Sequence, residues 1–269
     1  TNEIWQHNLD GYGGNLLTII DTIIANGTIP VLSSIPPLAR TAEEAVWTNR
    51  FNAVVRGIAQ GRRIPFVDFY REISPLPGRG LGGDDVHPNV YTDGGAKACV
   101  LNATGLGFGY NVRNRVTLEA LDRARQGVLT ATALDATAPR MDGAGTHADP
   151  YVIPSLPFTH LGNTTGGERT LATYGGCAAT QNEGGPERYY VIDVAADTSV
   201  RLFVLDRGGV DVDLHLLAAN ATAEACVARD DKEVGRVLTP GRWFISVDTF
   251  VDGAATEKAG EYLLVAIPE

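Results

Sequence analysis

The sequence predicts two folded parts, an α/β unit followed by an all-β sandwich. In residues 1–128, short apolar runs alternate with longer segments whose apolar side chains recur at helical spacing. After residue 150, apolar and polar residues alternate, as they do in half-buried strands. Residues 129–150 are rich in Ala, Thr, Asp, Gly and Pro, a composition typical of a linker. We therefore expect domains at 1–128 and 151–269, joined by a linker at 129–150.

The first part is predicted to contain four helices and two strands. Apolar residues between Leu16 and Ile24 predict a well-buried helix over 10–26, which Asn26-Gly27 ends. The further predicted elements are a strand at 29–35, a helix at 42–60, a strand at 64–69, a Gly/Pro-rich loop at 75–89, and helices at about 92–102 and 110–128. Strands that alternate with helices indicate βαβ units and a parallel sheet covered on both faces. Two strands are too few for such a sheet, so we expect the beginning of this domain to be absent.

The second part is predicted to be an antiparallel β-sandwich. Turn residues separate five alternating segments, at 189–194, 199–205, 212–217, 242–248 and 261–266.

Charge and hydropathy exclude two classes of partner. The chain carries 22 basic and 32 acidic residues, a formal net charge of −10. Nucleic-acid binding needs a basic face, so this balance argues against it. No apolar run approaches the roughly 18 residues that a membrane span requires.

One motif in the first part carries chemistry, the run from Gly82 to Asn89. It places Asp84 three residues before His87 in a Gly-rich loop, after a strand–helix–strand sequence and before a helix. This arrangement resembles the last motif of the SGNH (GDSL-like) hydrolases. The resemblance implies a flavodoxin-like three-layer fold, with His87 as general base and Asp84 orienting its ring. Two other interpretations are a solvated acidic loop and a metal site formed by Asp84, Asp85 and His87.

The first residues are similar to a second block of the same family. Thr1-Asn2-Glu3-Ile4 looks like its Gly-x-Asn-Asp/Glu block without the glycine, which implies that the Asn2 amide donates to the oxyanion. The family's nucleophile lies in a Gly-Asp-Ser block further upstream, and no serine of this sequence has that context. We therefore expect an N-terminal chain of the same precursor to carry the serine. His7 is the main rival to His87 as base, because it lies near Asn2.

The second part resembles the bacterial pre-peptidase C-terminal domain, a small jelly-roll-like sandwich attached to secreted hydrolases. The similar stretches are 182–187, 210–217, 238–248 and 259–265. The resemblance implies an auxiliary role and export. Export, and the position of Cys177 and Cys226 in one domain, predict a disulfide between them. Cys99 is then the odd cysteine, either buried on its helix or paired with a cysteine of the missing segment. Asp211 and Asp213 lie two apart on a predicted strand, a spacing that permits a calcium pair, although a solvated strand face has the same pattern.

Taken together, these features predict a secreted carboxylic-ester hydrolase with a Ser-His-Asp mechanism and no required cofactor. Its ester substrate would be an acetylated polysaccharide, a short-chain ester or a lipid. The alternative is a non-catalytic secreted surface or glycan-binding protein with an incomplete hydrolase half.

Overall fold

A computed structural model describes residues 2–38, 40–130 and 141–269. The chain forms two compact units, Thr1–Leu9 with Leu17–Ala138, and Asp10–Leu16 with Pro139–Glu269. The first unit mixes helices with a small sheet, and the second consists of two larger β-sheets.

The helices follow the predicted periodicity at three of four positions. The predicted helices α1 (Leu9–Ala25) and α2 (Ala42–Arg62) are followed by the short α3 (Phe69–Ile73), which was not predicted, and by the predicted α4 (Gly109–Leu129). Local capping fixes the bounds of α2, because the Thr41 side chain accepts a hydrogen bond from the Glu44 amide and Arg63 adopts left-handed φ of 53°. The helix α1 is less buried than predicted, since Ile19 and Ile24 are 55% and 40% exposed.

The predicted helix at 92–102 is wrong. This segment contains a tight turn in which Thr92 pairs with Ala96. Gly94 and Gly95 adopt φ of 62° and 140° within it, values that a right-handed helix does not allow. The glycine pair therefore overrides the apolar spacing of its neighbours.

The sheet of the first unit is small. Strands β1 (Leu32–Ser33) and β2 (Phe66–Val67) pair in parallel, with Leu32 opposite Phe66. Both are shorter than predicted, because prolines precede them and the Asp68 side chain accepts from the Arg71 amide to start α3. Their core lies between β2, α3 and α4 and contains Val67, Phe69, Ile73, Val112, Val116 and Ala120. Parallel pairing is confirmed, whereas the fuller sheet is not seen in the described residues.

The second unit contains two sheets. Its strands are β3 (Tyr151–Val152), β4 (Phe158–Asn163), β5 (Arg188–Val194), β6 (Thr198–Asp206), β7 (Val212–Ala218), β8 (Cys226–Asp230), β9 (Glu233–Leu238), β10 (Gly241–Thr249) and β11 (Glu261–Pro268). One sheet has the order β3-β5-β10-β7-β8, and the other β4-β11-β6-β9. All pairs are antiparallel except β3 with β5. The five predicted strands are present, and β3, β4, β8 and β9 were missed.

The core of this unit follows the alternation of the strands. On β7, Leu214 and Leu216 are fully buried in a cluster with Ile245 and Val247 of β10 and with Leu264 of β11. The intervening residues of the same strands are buried as well, because residues 164–187 pack over the other face. A strand that is covered on both faces explains why β7 has no exposed side chain along Val212–Leu217.

The predicted disulfide is confirmed. Cys177 and Cys226 are bonded, which ties residues 164–187 to β8. Cys99 is free and exposed, and it does not lie on a helix, so its predicted burial is wrong. Residues 131–140 of the predicted linker lie outside the described residues. Its last part is hydrogen bonded to the second unit, because the carbonyl of Gly145 accepts from the Tyr189 amide and the carbonyl of Asp142 accepts from the Val152 amide. Across the described ranges, no helix is long and apolar enough to cross a membrane.

Candidate functional site

The Asp-x-x-His loop is a closed turn between Gly80 and Asn89. The Gly82 amide donates to the carbonyl of His87 over 2.7 Å, and the Asn89 amide donates to the carbonyl of Gly80 over 2.8 Å. Val86 is buried and anchors the middle of the turn. The loop therefore presents its polar side chains from a backbone that is fixed at both ends.

The start of α4 supports this turn. The Asn89 side-chain oxygen accepts from the Gly109 amide over 2.7 Å, and its carbonyl accepts from the Tyr110 amide over 2.8 Å. A side chain at position 109 would collide with the carbonyl of Gly80 and with Pro88. Glycine at 109 thus permits the close approach that seats the loop on the helix.

Asp84 and His87 form a hydrogen-bonded dyad. The carboxylate oxygen Oδ2 lies 2.6 Å from His87 Nδ1. The other oxygen, Oδ1, accepts from the backbone amides of Val86 and His87 over 3.1 and 3.0 Å. The neighbouring Asp85 has left-handed φ of 54° and does not take this place. The sequence spacing thus brings together the two groups that a base and its orienting carboxylate require.

The surroundings of Asp84 favour its ionised carboxylate form. The hydrogen bond from His87, followed by the two backbone amides, holds the pKa of Asp84 well below its usual range. The side chains of His87 and Asp84 are 72% and 53% exposed. Because Nδ1 faces the carboxylate, Nε2 is the ring nitrogen that remains for a substrate or a hydroxyl.

The serine hydroxyls of the first unit are hydrogen bonded to groups other than His87. Ser34 Oγ donates to Asp68 and accepts from the Tyr70 amide, while Ser74 Oγ donates to the carbonyl of Tyr70. Ser33 Oγ donates to the carbonyl of Ser34. Within the described residues, no serine hydroxyl is hydrogen bonded to His87.

The other two candidate residues, Asn2 and His7, lie in or directly after the first turn of the chain. The backbone of Asn2 lies in a 3₁₀ turn, Asn2–Gln6, and its side chain is outside the described residues. His7 stacks on Trp47 with ring centroids 4.3 Å apart, and its Nε2 lies 3.7 Å from Glu43. Its ring is therefore engaged by an aromatic partner, unlike the ring of His87.

Arg40 is a neighbour of the dyad that the sequence did not indicate. Its guanidinium is hydrogen bonded to Glu44 and lies over the Trp5 ring, 4.9 Å from the centroid. The hydrogen bond to Glu44 is the main cause that raises the pKa of Arg40, and the charge of Asp84 adds to it. No sequence pattern links positions 40 and 84, which approach each other only in the fold.

The calcium candidates Asp211 and Asp213 lie in different surroundings. Asp213 Oδ1 lies 2.5 Å from Arg229 Nη2, and Glu183 Oε1 approaches the same nitrogen at 3.4 Å. Asp211 is half-buried beside the strand. Over the described ranges, no group of three His, Cys, Asp or Glu side chains could hold a metal ion. The Asp213 carboxylate therefore serves an ion pair.

Comparisons with known proteins give only distant likenesses. No family model and no curated protein matches the chain. Among solved structures, it is similar to the pre-peptidase C-terminal domain of a collagenase from Bacillus anthracis, at 16% identity over 41% of this chain and 89% of that one, with a TM-score of 0.28. It is also similar to PliG, a periplasmic inhibitor of g-type lysozyme from Aeromonas hydrophila, at 10% identity over 51% and 93%, with a TM-score of 0.28.

A third similar structure is a ruminal GH26 endo-β-1,4-mannanase, at 12% identity over 43% of this chain and 26% of that one, with a TM-score of 0.23. At these identities and TM-scores, no activity carries over to this chain.

Proposed function

We propose that this chain carries the acid–base half of an SGNH-type carboxylic-ester hydrolase. One observation supports the proposal above all, the 2.6 Å contact between Asp84 Oδ2 and His87 Nδ1 in a loop that leaves the imidazole exposed. Neutral imidazole with this partner is the general base that a serine hydroxyl needs, because the hydroxyl itself is almost wholly protonated at neutral pH.

The chemistry proposed for these residues is acyl transfer. His87 Nε2 would take the proton of the serine hydroxyl as its oxygen attacks the ester carbonyl, and would return that proton to the leaving alcohol. Water would then hydrolyse the acyl-enzyme with the same base, so that ester and water give acid and alcohol. Asp84 would stabilise the imidazolium, and the Asn2 amide would donate to the oxyanion.

The nucleophile would come from outside these 269 residues. Ser33, Ser34 and Ser74 have other hydrogen-bond partners, and we propose that an N-terminal segment of the same precursor supplies the serine. The substrate would be an ester of an acetylated polysaccharide, a short-chain ester or a lipid. The second unit, which we call the β unit, has motifs that resemble an exported auxiliary domain. It also contains a disulfide, which supports secretion.

The test compares His87→Ala with His7→Ala in a protein that includes any residues encoded upstream of Thr1. His87→Ala should abolish hydrolysis of p-nitrophenyl acetate without unfolding the domain, whereas His7→Ala should keep most of it. Near-wild-type turnover in His87→Ala would refute the assignment of the base. Serine-esterase activity in the 269-residue chain alone would show that the nucleophile is misplaced.

A non-catalytic surface or glycan-binding protein is the second candidate. It is favoured by the exposure of His87 and by the lack, within the described residues, of a serine hydrogen bonded to it. Retention of the chain on an immobilised polysaccharide would support this candidate if the protein with its upstream residues hydrolyses no ester.

A further inference from the structure

A buried polar layer lies on one face of the five-stranded sheet. Asp213 pairs in register with Asp248, and His215 pairs with Ser246, on the strands β7 and β10. These residues alternate with those of the sandwich core, so they point to the opposite face. Residues 164–187, which connect β4 to β5 and which we name the cover segment, pack over them through Tyr174 and the Cys177 disulfide.

Two carboxyl groups meet at one tyrosine hydroxyl in this layer. The Tyr174 hydroxyl lies 2.5 Å from Asp248 Oδ2 and 3.3 Å from Glu187 Oε2, and all three residues are fully buried. A hydroxyl has a single proton to donate, so it cannot satisfy both carboxylates. The second oxygen of Asp248 accepts from the Thr249 amide over 2.7 Å.

Glu187, the last residue of the cover segment, also binds the beginning of that segment. Its Oε1 accepts from the amides of Thr170 and Leu171 over 2.5 and 3.1 Å. Those two amides lie at the beginning of the cover segment, whereas Asp248 lies on the sheet. The two carboxyl groups, which both contact the Tyr174 hydroxyl, therefore join the cover segment to the sheet.

No cation offsets these two carboxyl groups in the part of the chain that the structure describes. The basic groups packed around this layer are His215, Arg229 and His147. The His147 ring lies edge-on to Tyr189, and its Nε2 lies 3.0 Å from the carbonyl of Ala221. His215 stacks on Tyr174 with ring centroids 3.5 Å apart, and burial, with the charge of Arg229, lowers its pKa to about 3, so that it is neutral. Arg229 is committed to Asp213 and Glu183. Tyr189, and Glu168, whose backbone pairs with that of Glu187, carry no positive charge in any form.

Two buried carboxylates without a cation cannot both remain ionised. We propose that Glu187 and Asp248 hold one proton between them and that this proton fastens the cover segment to the sheet, as a lock that loosens when the pH rises. With one carboxyl group protonated, both contacts of the Tyr174 hydroxyl, with Asp248 Oδ2 and with Glu187 Oε2, can have a hydrogen-bond donor. The lock is distinct from the site around His87 and does not depend on its function.

The pKa of Asp248 agrees with this arrangement. Burial, followed by the charge of Glu187, raises it well above its usual range. A raised pKa in the closed form stabilises that form at low pH, and the stabilisation is lost as the pH rises towards the raised value. Because opening releases one proton in this range, the opening equilibrium should rise about tenfold per pH unit.

Other titrating groups set the pH window. His215 would regain an ordinary pKa on opening and take up a proton below about pH 6.5, which cancels the carboxyl effect in acid. Burial, followed by the charge of Asp213, raises the pKa of Glu183 to about 8, and its release would add a second proton to the slope. The charges of Asp211, Asp231 and Lys232 act on Asp213. The lock is therefore tested above about pH 6.5. The wild type should release one proton more on opening than a variant that lacks either carboxyl group.

Hydrogen exchange of the Thr170 and Leu171 amides measures the opening directly. The exchange rates are first corrected for the intrinsic pH dependence of amide exchange. Between one pH unit and the next, the corrected rate should then rise about tenfold more in the wild-type 269-residue chain than in Asp248→Asn. Glu187→Gln should lose the same slope, and the double variant should lose no more than either single one, since a single proton is shared. Asp193→Asn is the matched control, because that exposed carboxylate is paired with Arg242 and should leave the slope unchanged.

Equal slopes in the wild type, Asp248→Asn and Glu187→Gln would overturn the proposal. If the variants do not fold, the carboxyl ¹³C shifts of Asp248 and Glu187 in the wild type decide the question. A carboxyl signal of the pair that still titrates above pH 6.5 supports the lock. Ordinary titration of both groups near pH 4 overturns it.

Discussion

Breaking the Cys177–Cys226 disulfide should destabilise the β unit by about 4 kcal/mol. The bridge joins residues 49 apart in sequence. Closing a loop of that length removes roughly 14 cal/mol/K of entropy from the unfolded chain, which corresponds to about 4 kcal/mol at 25 °C. For a unit of this size the loss should lower Tm by roughly 15 °C.

The two ends of the bridge differ in packing, which allows the cross-link to be separated from the sulfur contacts. Cys226 is buried with Tyr174, Tyr189 and Leu217, whereas Cys177 is only partly buried beside that cluster. Reducing the wild type should remove the cross-link alone. Cys226→Ala should cost about 1 kcal/mol more than reduction, because it also removes a buried sulfur.

Urea unfolding followed by fluorescence, with and without reductant, measures these differences. Cys99→Ala is the control, since that thiol is free and exposed and its removal should change the free energy of unfolding little. A loss below about 1 kcal/mol on reduction would refute the reasoning, because it would mean that the unfolded chain is not restrained by the bridge.

Three further predictions concern the dyad, a buried ion pair and the linker. Asp84→Asn should lower kcat by up to about 10⁴-fold yet less than His87→Ala, because it misorients the base without removing it, and full activity in an esterase assay would contradict this. Arg229→Ala should cost about 3 kcal/mol at pH 7 by leaving the Asp213 carboxylate buried and unpaired, and less at pH 5, where protonation relieves it; equal losses in urea unfolding at both pH values would contradict this. Limited proteolysis should cut first within 129–150, and first cleavage inside 190–265 would contradict the predicted boundary.

The sequence by itself determined the features that depend on neighbouring residues. Helical spacing located α2 and α4 to within two residues, and alternation located five strands of the β unit. The three-residue spacing of Asp84 and His87 sufficed to predict their contact, because one turn of backbone carries both groups. The wrong helix at 92–102 also had a local cause. The prediction followed the apolar spacing of this segment, whereas the chain follows the positive φ of Gly94 and Gly95.

Only the tertiary structure decided the features that join distant segments. Glu187 and Asp248 are 61 positions apart, yet strand register and the cover segment bring both to Tyr174. Strand pairing likewise places Arg229 of β8 beside Asp213 of β7. The sequence alone offered only the spacing of Asp211 and Asp213, which permitted a calcium pair. Such contacts depend on which strands pair and in what register, and pairing is set by the burial of whole faces rather than by the residues next to each side chain.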